Sequence, residues 1–276
     1  MNKINVMVNG LPGNVAIIIA EHVMANERLN LIPYSLTGPE IEQPAQRIGE
    51  TLITLVRPET RDRVISEVTS SFGSFLSVDY THPTAVNSNA DFYCRHRLPF
   101  VMGTTGGDRS RLMDCVNQAA LPAVIAPNMA KQIVGLQAIM EYAATEFPGL
   151  FTGYSLEVKE SHQRGKADTS GTAKAMVQYF NAMGIDYSQE GICMERDPEK
   201  QLKEWGVPKE YLGGHAWHTY TLVSADKTVK FSFTHNVNGR EVYALGTLDA
   251  IFYLEKKVRE GGDGRAYSMI DVLRGK

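Results

Sequence analysis

The sequence has few cysteines, no long apolar run and little net charge, and each shortage excludes a class of protein. Its 276 residues include three cysteines, which are scattered and lack zinc-site spacing, so we interpret them as reduced thiols of an intracellular protein. No apolar run approaches the roughly 20 residues that span a bilayer. The net charge of −3 gives no electrostatic reason to expect binding to nucleic acid or to an anionic membrane.

The composition that remains is typical of a folded globular protein. The hydrophobic fraction is 43% and the charged fraction 21%, and the length allows two modest domains. Met1 leads almost directly into an apolar strand pattern, so we expect no signal peptide or transit peptide in this sequence. These features predict a cytoplasmic location, or the plastid stroma if a transit peptide has been removed.

The N-terminal residues predict a dinucleotide-binding turn between a buried strand and a helix. A strand pattern that starts at Ile4 ends in a Gly-x-x-Gly-x-x-Ala variant of the dinucleotide fingerprint. In that fingerprint the glycines let the backbone approach a pyrophosphate, and the small third residue lets the helix pack against the strand. The predicted cofactor-binding residues of this turn are Gly10, Leu11, Pro12, Gly13, Asn14 and Val15.

The second predicted strand, Leu29 to Leu36, bears on the choice of cofactor. Ser35 and Thr37 stand where many NAD-dependent enzymes place an acidic residue that binds the ribose hydroxyls. Two hydroxyls in place of an acid leave room for a 2′-phosphate, although no arginine follows closely. We predict that Ser35 and Thr37 bind the cofactor and that this cofactor is NADPH, with NADH possible.

Strands and helices alternate up to about residue 130, which predicts a parallel, doubly wound sheet. In such sheets ligands bind beyond the carboxyl ends of the strands. The turns at Gly10–Gly13, Asp79–Pro83, Gly103–Gly106 and Pro127–Met129 all fall at that edge. The predicted cofactor-binding residues of the later turns are Gly103, Thr104, Thr105, Pro127, Asn128 and Met129.

The alternation of strands and helices stops near Lys131, and a helical pattern returns after the turn at Asn238-Gly239. Residues 185–213 are polar and irregular, and the helix that follows the turn is predicted from Gly246. The strands His215–Ser224 and Thr228–Asn236 alternate in polarity, which is typical of an open sheet with one covered face.

These patterns predict an α/β protein of two domains. Residues 1–130 and 241–276 are expected to form a Rossmann-type parallel sheet that binds the dinucleotide. Residues 131–240 are expected to form a second α/β domain with an open mixed sheet that binds substrate. Because the exposed edge of an open sheet needs a cover, we also expect a homo-oligomer, a dimer or a tetramer, built through the second domain.

The segment Glu160–Ala173 is the strongest functional signal in the second domain. An imidazole, His162, precedes an ammonium, Lys166, by four positions, and a Ser170-Gly171-Thr172 turn then opens a helix. A helix N-terminus exposes unpaired backbone N–H groups and a partial positive charge, which suit a carboxylate or phosphate. A polar loop with an ordinary helix cap would look similar, but with the N-terminal turns this segment indicates a site for a small dianionic substrate.

The chain resembles the dihydrodipicolinate reductase family, also called 4-hydroxy-tetrahydrodipicolinate reductases, over nearly its whole length. The resemblance rests on the N-terminal glycine-rich turn, Gly103-Thr-Thr-Gly106, Asn128 and the His162–Thr172 segment. Gln163 replaces the second histidine of the common bacterial pattern. The proline before Ser-Gly-Thr is missing and the segment is one residue shorter, as in the plant-type branch.

The resemblance implies the chemistry. The substrate is a cyclic unsaturated dicarboxylate, reduced by hydride transfer and protonation on the route to lysine and diaminopimelate. His162 takes the position of the proton donor or relay, since a histidine can donate near neutral pH. Lys166 takes the position of a carboxylate-binding cation, and Gln163, Ser170, Gly171 and Thr172 are expected to bind substrate.

Two alternative functions remain open at this point. Another two-domain nicotinamide-dependent amino acid dehydrogenase would share the N-terminal domain but lack the arrangement of His162, Lys166 and Ser170-Gly-Thr. A non-catalytic dinucleotide sensor would keep the glycine-rich turns and need no proton donor. No metal site is predicted, because no residues have metal-ligand spacing, and neither nucleic acid nor membrane is an expected partner.

Overall fold

The computed structural model describes residues 3–275, and the chain divides into two compact units. One unit holds the residues up to Val134 together with those from Glu241 onward, and the other holds Gly135–Arg240. The predicted fold class is confirmed, since one unit has a parallel sheet and the other a mixed sheet. Within residues 3–275, no helix combines the length and apolar character needed to cross a membrane.

The elements follow one another in three stretches. The strands before the second unit are β1 (Ile4–Asn9), β2 (Leu29–Leu31), β3 (Tyr34–Leu36), β4 (Ala45–Ile48), β5 (Thr51–Val56), β6 (Leu76–Asp79), β7 (Phe100–Met102) and β8 (Ala123–Ile125). The helices of this stretch are α1 (Asn14–Ala25), α2 (Arg61–Phe72), α3 (Val86–Arg95), α4 (Arg109–Ala119) and α5 (Lys131–Glu146), which continues into the second unit. The second unit then holds β9 (Ser155–His162), α6 (Gly171–Ala182), β10 (Cys193–Glu195), α7 (Pro198–Lys200), β11 (His215–Val223) and β12 (Lys230–Asn238). The chain ends in the first unit with α8 (Glu241–Arg259), β13 (Ala266–Tyr267) and α9 (Met269–Arg274).

The first unit is built on a six-stranded parallel sheet in the order β13-β8-β7-β6-β1-β2. Successive strand residues point to opposite faces, so Val6 and Val8 join one apolar cluster while Met7 joins another. Helix α1 buries residues spaced three and four apart, as a helix that packs on a sheet must: Ala16, Ile19, Ala20 and Val23. This layering places the ends of β1, β6, β7 and β8 along one edge.

The predicted strand Leu29–Leu36 is wrong as a single element. It breaks at Pro33 into β2, which pairs with β1, and β3, which pairs with β5 in a small second sheet. Proline has no N–H to continue a ladder, and the chain changes sheets at this point. Strand β4, which pairs antiparallel with β5, completes this small sheet.

The second unit has a four-stranded sheet in the order β10-β9-β11-β12. Helix α6 covers one face, where its apolar residues pack with Val158, Tyr220 and Leu222. Two expectations need correction here: residues 185–213 include the short strand β10, and α8 begins at Glu241 and not at Gly246. Strand β9 ends at His162, which places this residue on the strand.

Candidate active site

The turn between β1 and α1 has the geometry of a phosphate cradle. Gly10 has a φ of +106°, and a Cβ at this position would lie 2.2 Å from the carbonyl oxygen of Tyr80. Gly13 precedes α1 with no side-chain cap, and the first turn carries no acidic residue. The N–H groups at the start of α1 are therefore left for an anionic ligand. Leu11 is buried, while Pro12, Asn14 and Val15 keep some exposure.

Ser35 and Thr37, the two predicted cofactor-binding residues of the second strand, both contact the backbone of this turn. Ser35 is fully buried, and its hydroxyl accepts from the N–H of Leu11 at 3.3 Å. The Thr37 hydroxyl donates to the carbonyl of Leu11 at 2.8 Å. The Ser35 hydroxyl is therefore already used inside the fold, where it holds the backbone of the turn at Leu11.

The turn after β7 is fixed by a buried carboxylate, Asp79, at the end of β6. The Thr104 hydroxyl donates to Asp79 Oδ1 at 2.6 Å, and the Tyr93 hydroxyl donates to Oδ2 at 2.7 Å. A Cβ at Gly103 would overlap the ring of Tyr80 at 2.3 Å. The Thr104 hydroxyl is thus already hydrogen-bonded to Asp79. The exposed Thr105 and the backbone of the turn are the groups that remain to contact a ligand.

The turn after β8 is held by its own helix and by α8. Asn128 Oδ1 accepts from the N–H of Ala130 at 2.9 Å, just before α5 begins. Met129 is buried, and a Cβ at Gly246 would lie 1.8 Å from its carbonyl oxygen, so only glycine admits this approach. Pro127 is exposed beside them. The three turns fit a nicotinamide dinucleotide, because close backbone and an uncapped helix N-terminus are what a pyrophosphate needs.

His162 ends β9 with one ring nitrogen fixed and the other free. Its Nδ1 lies 3.2 Å from the carbonyl oxygen of His215. A carbonyl only accepts, so Nδ1 carries the hydrogen and Nε2 holds the lone pair when the ring is neutral. Among the described residues, Nε2 is buried and has no hydrogen-bond partner. His162 is thus set up to bind a proton on Nε2.

The charge environment favours the neutral form of His162. Burial lowers the pKa of His162 to about 4, and the cations of Arg196 and Lys166 act in the same direction. His162 as a whole residue is only 6% exposed. A dianion bound nearby would oppose both effects, since an opposite charge favours the protonated form.

The loop between β9 and α6 carries the remaining predicted substrate residues. Lys166 Nζ lies 2.7 Å from Asp168 Oδ1, and Gln163 is half-buried with its carbonyl accepting from the N–H of Lys166 at 3.0 Å. Ser170 caps α6 by accepting from the N–H of Thr172 at 3.2 Å, so its hydroxyl is engaged by the helix. Gly171 is exposed at the first position of the helix.

Comparisons with known proteins agree with this architecture. The family models described as "Dihydrodipicolinate reductase, N-terminus" and "Dihydrodipicolinate reductase, C-terminus" match residues 4–129 and 133–273. The chain belongs to the dihydrodipicolinate reductase family. The predicted family and the predicted oxidoreductase class are confirmed, and family membership implies a nicotinamide cofactor.

Individual relatives of this reductase come from plants and bacteria. The chain is 46% identical over 274 residues to "4-hydroxy-tetrahydrodipicolinate reductase 1, chloroplastic" of Arabidopsis thaliana, covering 99% of this chain and 78% of the relative. It is 33% identical over 215 residues to the Thiobacillus denitrificans reductase, covering 73% of this chain and 74% of the relative. The solved structure "Dipicolinate bound Dihydrodipicolinate reductase from Paenisporosarcina sp. TG-14" shares the fold with a TM-score of 0.66 and 19% identity, over 96% of this chain and 97% of that one.

The sequence prediction missed three buried or half-buried polar residues of this reductase: Glu160, Arg196 and His218. The ligand atoms of Glu160, His162 and His218 lie within 4.8 Å of one another, a grouping that no sequence spacing indicated. The Glu160 oxygens already accept from Arg196 Nη2 and from the N–H of Ser170. Because the carboxylate is satisfied by these partners, we assign no metal to the group.

Proposed function

We propose that this reductase converts 4-hydroxy-tetrahydrodipicolinate to tetrahydrodipicolinate in lysine and diaminopimelate biosynthesis. The observation that carries the proposal is His162, whose buried, unpartnered Nε2 lies on the strand that leads into the Lys166 loop. Loss of the 4-hydroxyl as water gives the substrate a conjugated C=C–C=N system, and the reduced nicotinamide, when bound, supplies a hydride to one end of it. The protein residues must then hold two carboxylates and deliver one proton.

His162 delivers that proton in our proposal, and substrate binding loads it. The free ring is neutral at pH 7 because its pKa is lowered to about 4. Two substrate carboxylates raise this pKa, so the ring takes up a proton on Nε2 as substrate binds. The proton then passes to the carbon or nitrogen on which charge develops, and the neutral ring returns.

Two sets of groups hold the carboxylates. Lys166 exchanges its partner Asp168, which is 78% exposed, for one substrate carboxylate. The start of α6 offers the backbone N–H of Gly171 and the hydroxyl of Thr172 to the other, since the N–H of Thr172 is already held by Ser170. Arg240 is a further cation at this end of the sheet, since its guanidinium lies against Gly214, next to His215. Holding both carboxylates orients the ring for hydride transfer.

The test is a coupled assay in which dihydrodipicolinate synthase supplies the unstable substrate. We expect oxidation of NADPH or NADH that depends on the synthase and its substrates, with tetrahydrodipicolinate as the product. The two alternative functions predict other outcomes. An amino acid dehydrogenase would oxidise cofactor only with a different substrate, and a sensor would bind cofactor with no turnover.

We further propose that NADPH is used at least as well as NADH. Arg57 directly follows β5, beside Thr37, because Leu36 pairs with Val56 in the β3–β5 ladder. Its Nε donates to the carbonyl of Ile41 at 2.7 Å, which holds the guanidinium beside the loop that follows β3. Sequence reasoning missed this cation because it comes from a neighbouring strand.

Glu40 is an acid whose expected effect on the choice between NADPH and NADH is opposite to that of Arg57. A Cβ at Gly38 would lie 2.2 Å from a carboxylate oxygen of Glu40, so this acid covers the end of β3. A carboxylate suits the ribose hydroxyls of NADH and repels a 2′-phosphate. We therefore expect Arg57 and Glu40 to set the cofactor ratio in opposite directions.

The kcat/KM values for the two cofactors test the balance. Arg57→Gln should lower kcat/KM for NADPH by about 10- to 100-fold, the worth of one charge-assisted hydrogen bond, and leave NADH nearly unchanged. Glu40→Gln should raise kcat/KM for NADPH. Arg57→Lys serves as the charge-conserving control. A more than tenfold preference of the wild type for NADH would contradict the proposal.

The exposed sheet of the second unit supports a homo-oligomer. Strand β12 is a nine-residue edge, with Ser232, Thr234 and Asn236 exposed and Phe231 41% exposed. Long unpaired edges are sites of association unless covered. We propose a dimer or tetramer formed through this sheet. Sedimentation at micromolar concentration tests it, and a monomeric mass would overturn it.

The plant relatives are described as chloroplastic. We propose that this reductase acts in the cytoplasm or, where a transit peptide has been removed, in the plastid stroma. Cell fractionation followed by immunodetection tests this location, and recovery in the membrane fraction would contradict it.

A further inference from the structure

Glu160 is a buried carboxylate at the centre of the substrate-binding unit. It lies on β9, is 0% exposed, and pairs in register with Met194 on β10 and His218 on β11. Its Oε1 accepts from Arg196 Nη2 at 2.5 Å, and its Oε2 accepts from the N–H of Ser170 at 3.0 Å. A buried charge is strongly destabilising unless it is paired and hydrogen-bonded. Glu160 meets both conditions.

Arg196 extends this pairing to the loop that carries Lys166. Its Nε donates to the carbonyl of Lys166 at 2.9 Å, and its Nη2 also reaches the carbonyl of Asp168 at 3.4 Å. Its Nη1 donates to the carbonyl of Glu195 at 2.9 Å, which fixes the guanidinium to the end of β10. One planar group therefore joins strand, carboxylate and loop, a task that requires the several donors of arginine.

We infer that the Glu160–Arg196 ion pair is a clamp that positions the substrate-binding loop against His162. Arg196 holds the middle of the loop through the Lys166 carbonyl, and Glu160 holds its end at Ser170, where α6 begins. These are positioning residues, because they act through Lys166, the helix N-terminus and His162. The inference rests on the proposed function and adds to it how the carboxylate-binding groups are ordered before substrate arrives.

The clamp also places charge beside His162. Glu160 Oε2 lies 4.0 Å from His162 Nε2 and 3.8 Å from His218 Nε2. The other titratable groups that act on His162 are Arg196, Lys166, His215 and His218. Removal of the Arg196 charge should raise the His162 pKa, since a cation leaves. Removal of the Glu160 charge should lower it, since two cations lose their counterion. The two halves of one ion pair thus predict opposite shifts.

A purely structural ion pair would behave differently. Loss of either partner would destabilise the second unit, and loss of both would restore stability, as is common for buried pairs. The affinity for substrate would then recover with stability. If the ion pair is a clamp, substrate affinity does not recover in the double variant. The hydrogen bonds that hold the loop are still missing, even though no charge is left unpaired.

The experiment compares Glu160→Gln, Arg196→Gln, Arg196→Lys and the double variant Glu160→Gln/Arg196→Gln. The matched control is Glu199→Gln, which removes a carboxylate from the exposed pair with Lys203 in the same unit. Tryptophan fluorescence and circular dichroism confirm folding. The readouts are substrate KM and kcat in the coupled assay, NADPH affinity, and binding of dipicolinate as a stable planar dicarboxylate.

We expect each clamp variant, including the double variant, to raise KM and weaken dipicolinate by about 10- to 100-fold, the cost of a misplaced binding group. NADPH affinity should stay within twofold of wild type, as should every readout of the control. Arg196→Lys keeps the charge but lacks the planar set of donors. We therefore expect KM to rise while the His162 pKa stays close to its wild-type value. The titration is followed by NMR on labelled histidine and assigned with His162→Gln.

Three results would overturn the clamp. One is a folded Arg196→Gln variant whose KM and dipicolinate affinity match wild type. Another is a double variant in which stability and affinity recover together. The third is a pair of single variants that move the His162 pKa in the same direction. An inactive wild type would instead refute the proposed function, and the dicarboxylate-binding comparison would still report on the clamp.

Discussion

His218 is a fully buried histidine that should make the second unit sensitive to acid. Its side chain is 2% exposed, and neither ring nitrogen has a hydrogen-bond partner among the described residues. Burial lowers the pKa of His218 to about 2, and His235, His162 and the nearby cations act in the same direction. We predict that His218→Gln reduces the loss of stability that this unit suffers as the pH falls.

The magnitude follows from proton linkage. Unfolded histidine titrates near pH 6.5. Below this pH the unfolded chain therefore binds a proton at His218 that the folded chain does not bind. Stability is complete above pH 6.5 and falls by about 1.4 kcal/mol per pH unit for each such group as the pH drops. Between pH 7 and pH 5, His218 accounts for a loss of about 2 kcal/mol. His162, with its pKa lowered to about 4, accounts for a similar loss.

Guanidinium unfolding at pH 7, 6 and 5, followed by tryptophan fluorescence, measures this slope. Both tryptophans, Trp205 and Trp217, lie in the second unit, so the signal reports on that unit. The wild type should lose at least about 4 kcal/mol between pH 7 and pH 5 from the two histidines together. His218→Gln should lose about 2 kcal/mol less, and the exposed His82→Gln should match wild type. Equal slopes for wild type and His218→Gln would refute the neutral, buried state assigned to His218.

Three further substitutions test other parts of the site. Lys166→Ala should raise substrate KM and lower kcat, each by about 10-fold or more, because a cation paired with a carboxylate acts in both ground and transition states; unchanged initial-rate kinetics would remove it from the site. Gln163→Ala should cost less than Lys166→Ala in the same assay, since an amide only donates or accepts hydrogen bonds; a larger loss would reverse the two roles. Gly246→Ala should lower the melting temperature of the first unit by several degrees and weaken cofactor binding, because its Cβ overlaps the carbonyl of Met129; an unaltered melting curve would contradict this packing.

The sequence predicted the elements whose signals are local. Hydrophobic period and glycine-rich turns located β1, α1 and α6 to within a few residues, since these depend on neighbours three or four positions away. The segment with His162 and Lys166 was found for the same reason: its imidazole, its ammonium and its helix cap lie within one short stretch.

The sequence could not predict features that depend on long-range pairing. Residues 185–213 have no periodicity, so nothing indicated that Cys193–Glu195 would pair with β9 and bring Arg196 to Glu160. Arg57 was missed beside Thr37 for the same reason. Ser35 was predicted to bind the cofactor because it stands where many NAD-dependent enzymes place an acid, but the fold gives its hydroxyl an N–H partner in the core.

The role of His162 is tested most directly by the single-turnover rate of His162→Gln. The enzyme is loaded with NADPH, mixed with freshly generated substrate, and followed by loss of nicotinamide absorbance. General acid catalysis is worth roughly 100- to 10,000-fold, so we expect a rate reduced by that factor. NADPH affinity should be unchanged, because the ring gives its proton to the substrate and is not assigned to cofactor binding. A His162→Gln rate within about threefold of wild type, well below the loss of a general acid, would show that the proton comes from Lys166 or water and would contradict the mechanism.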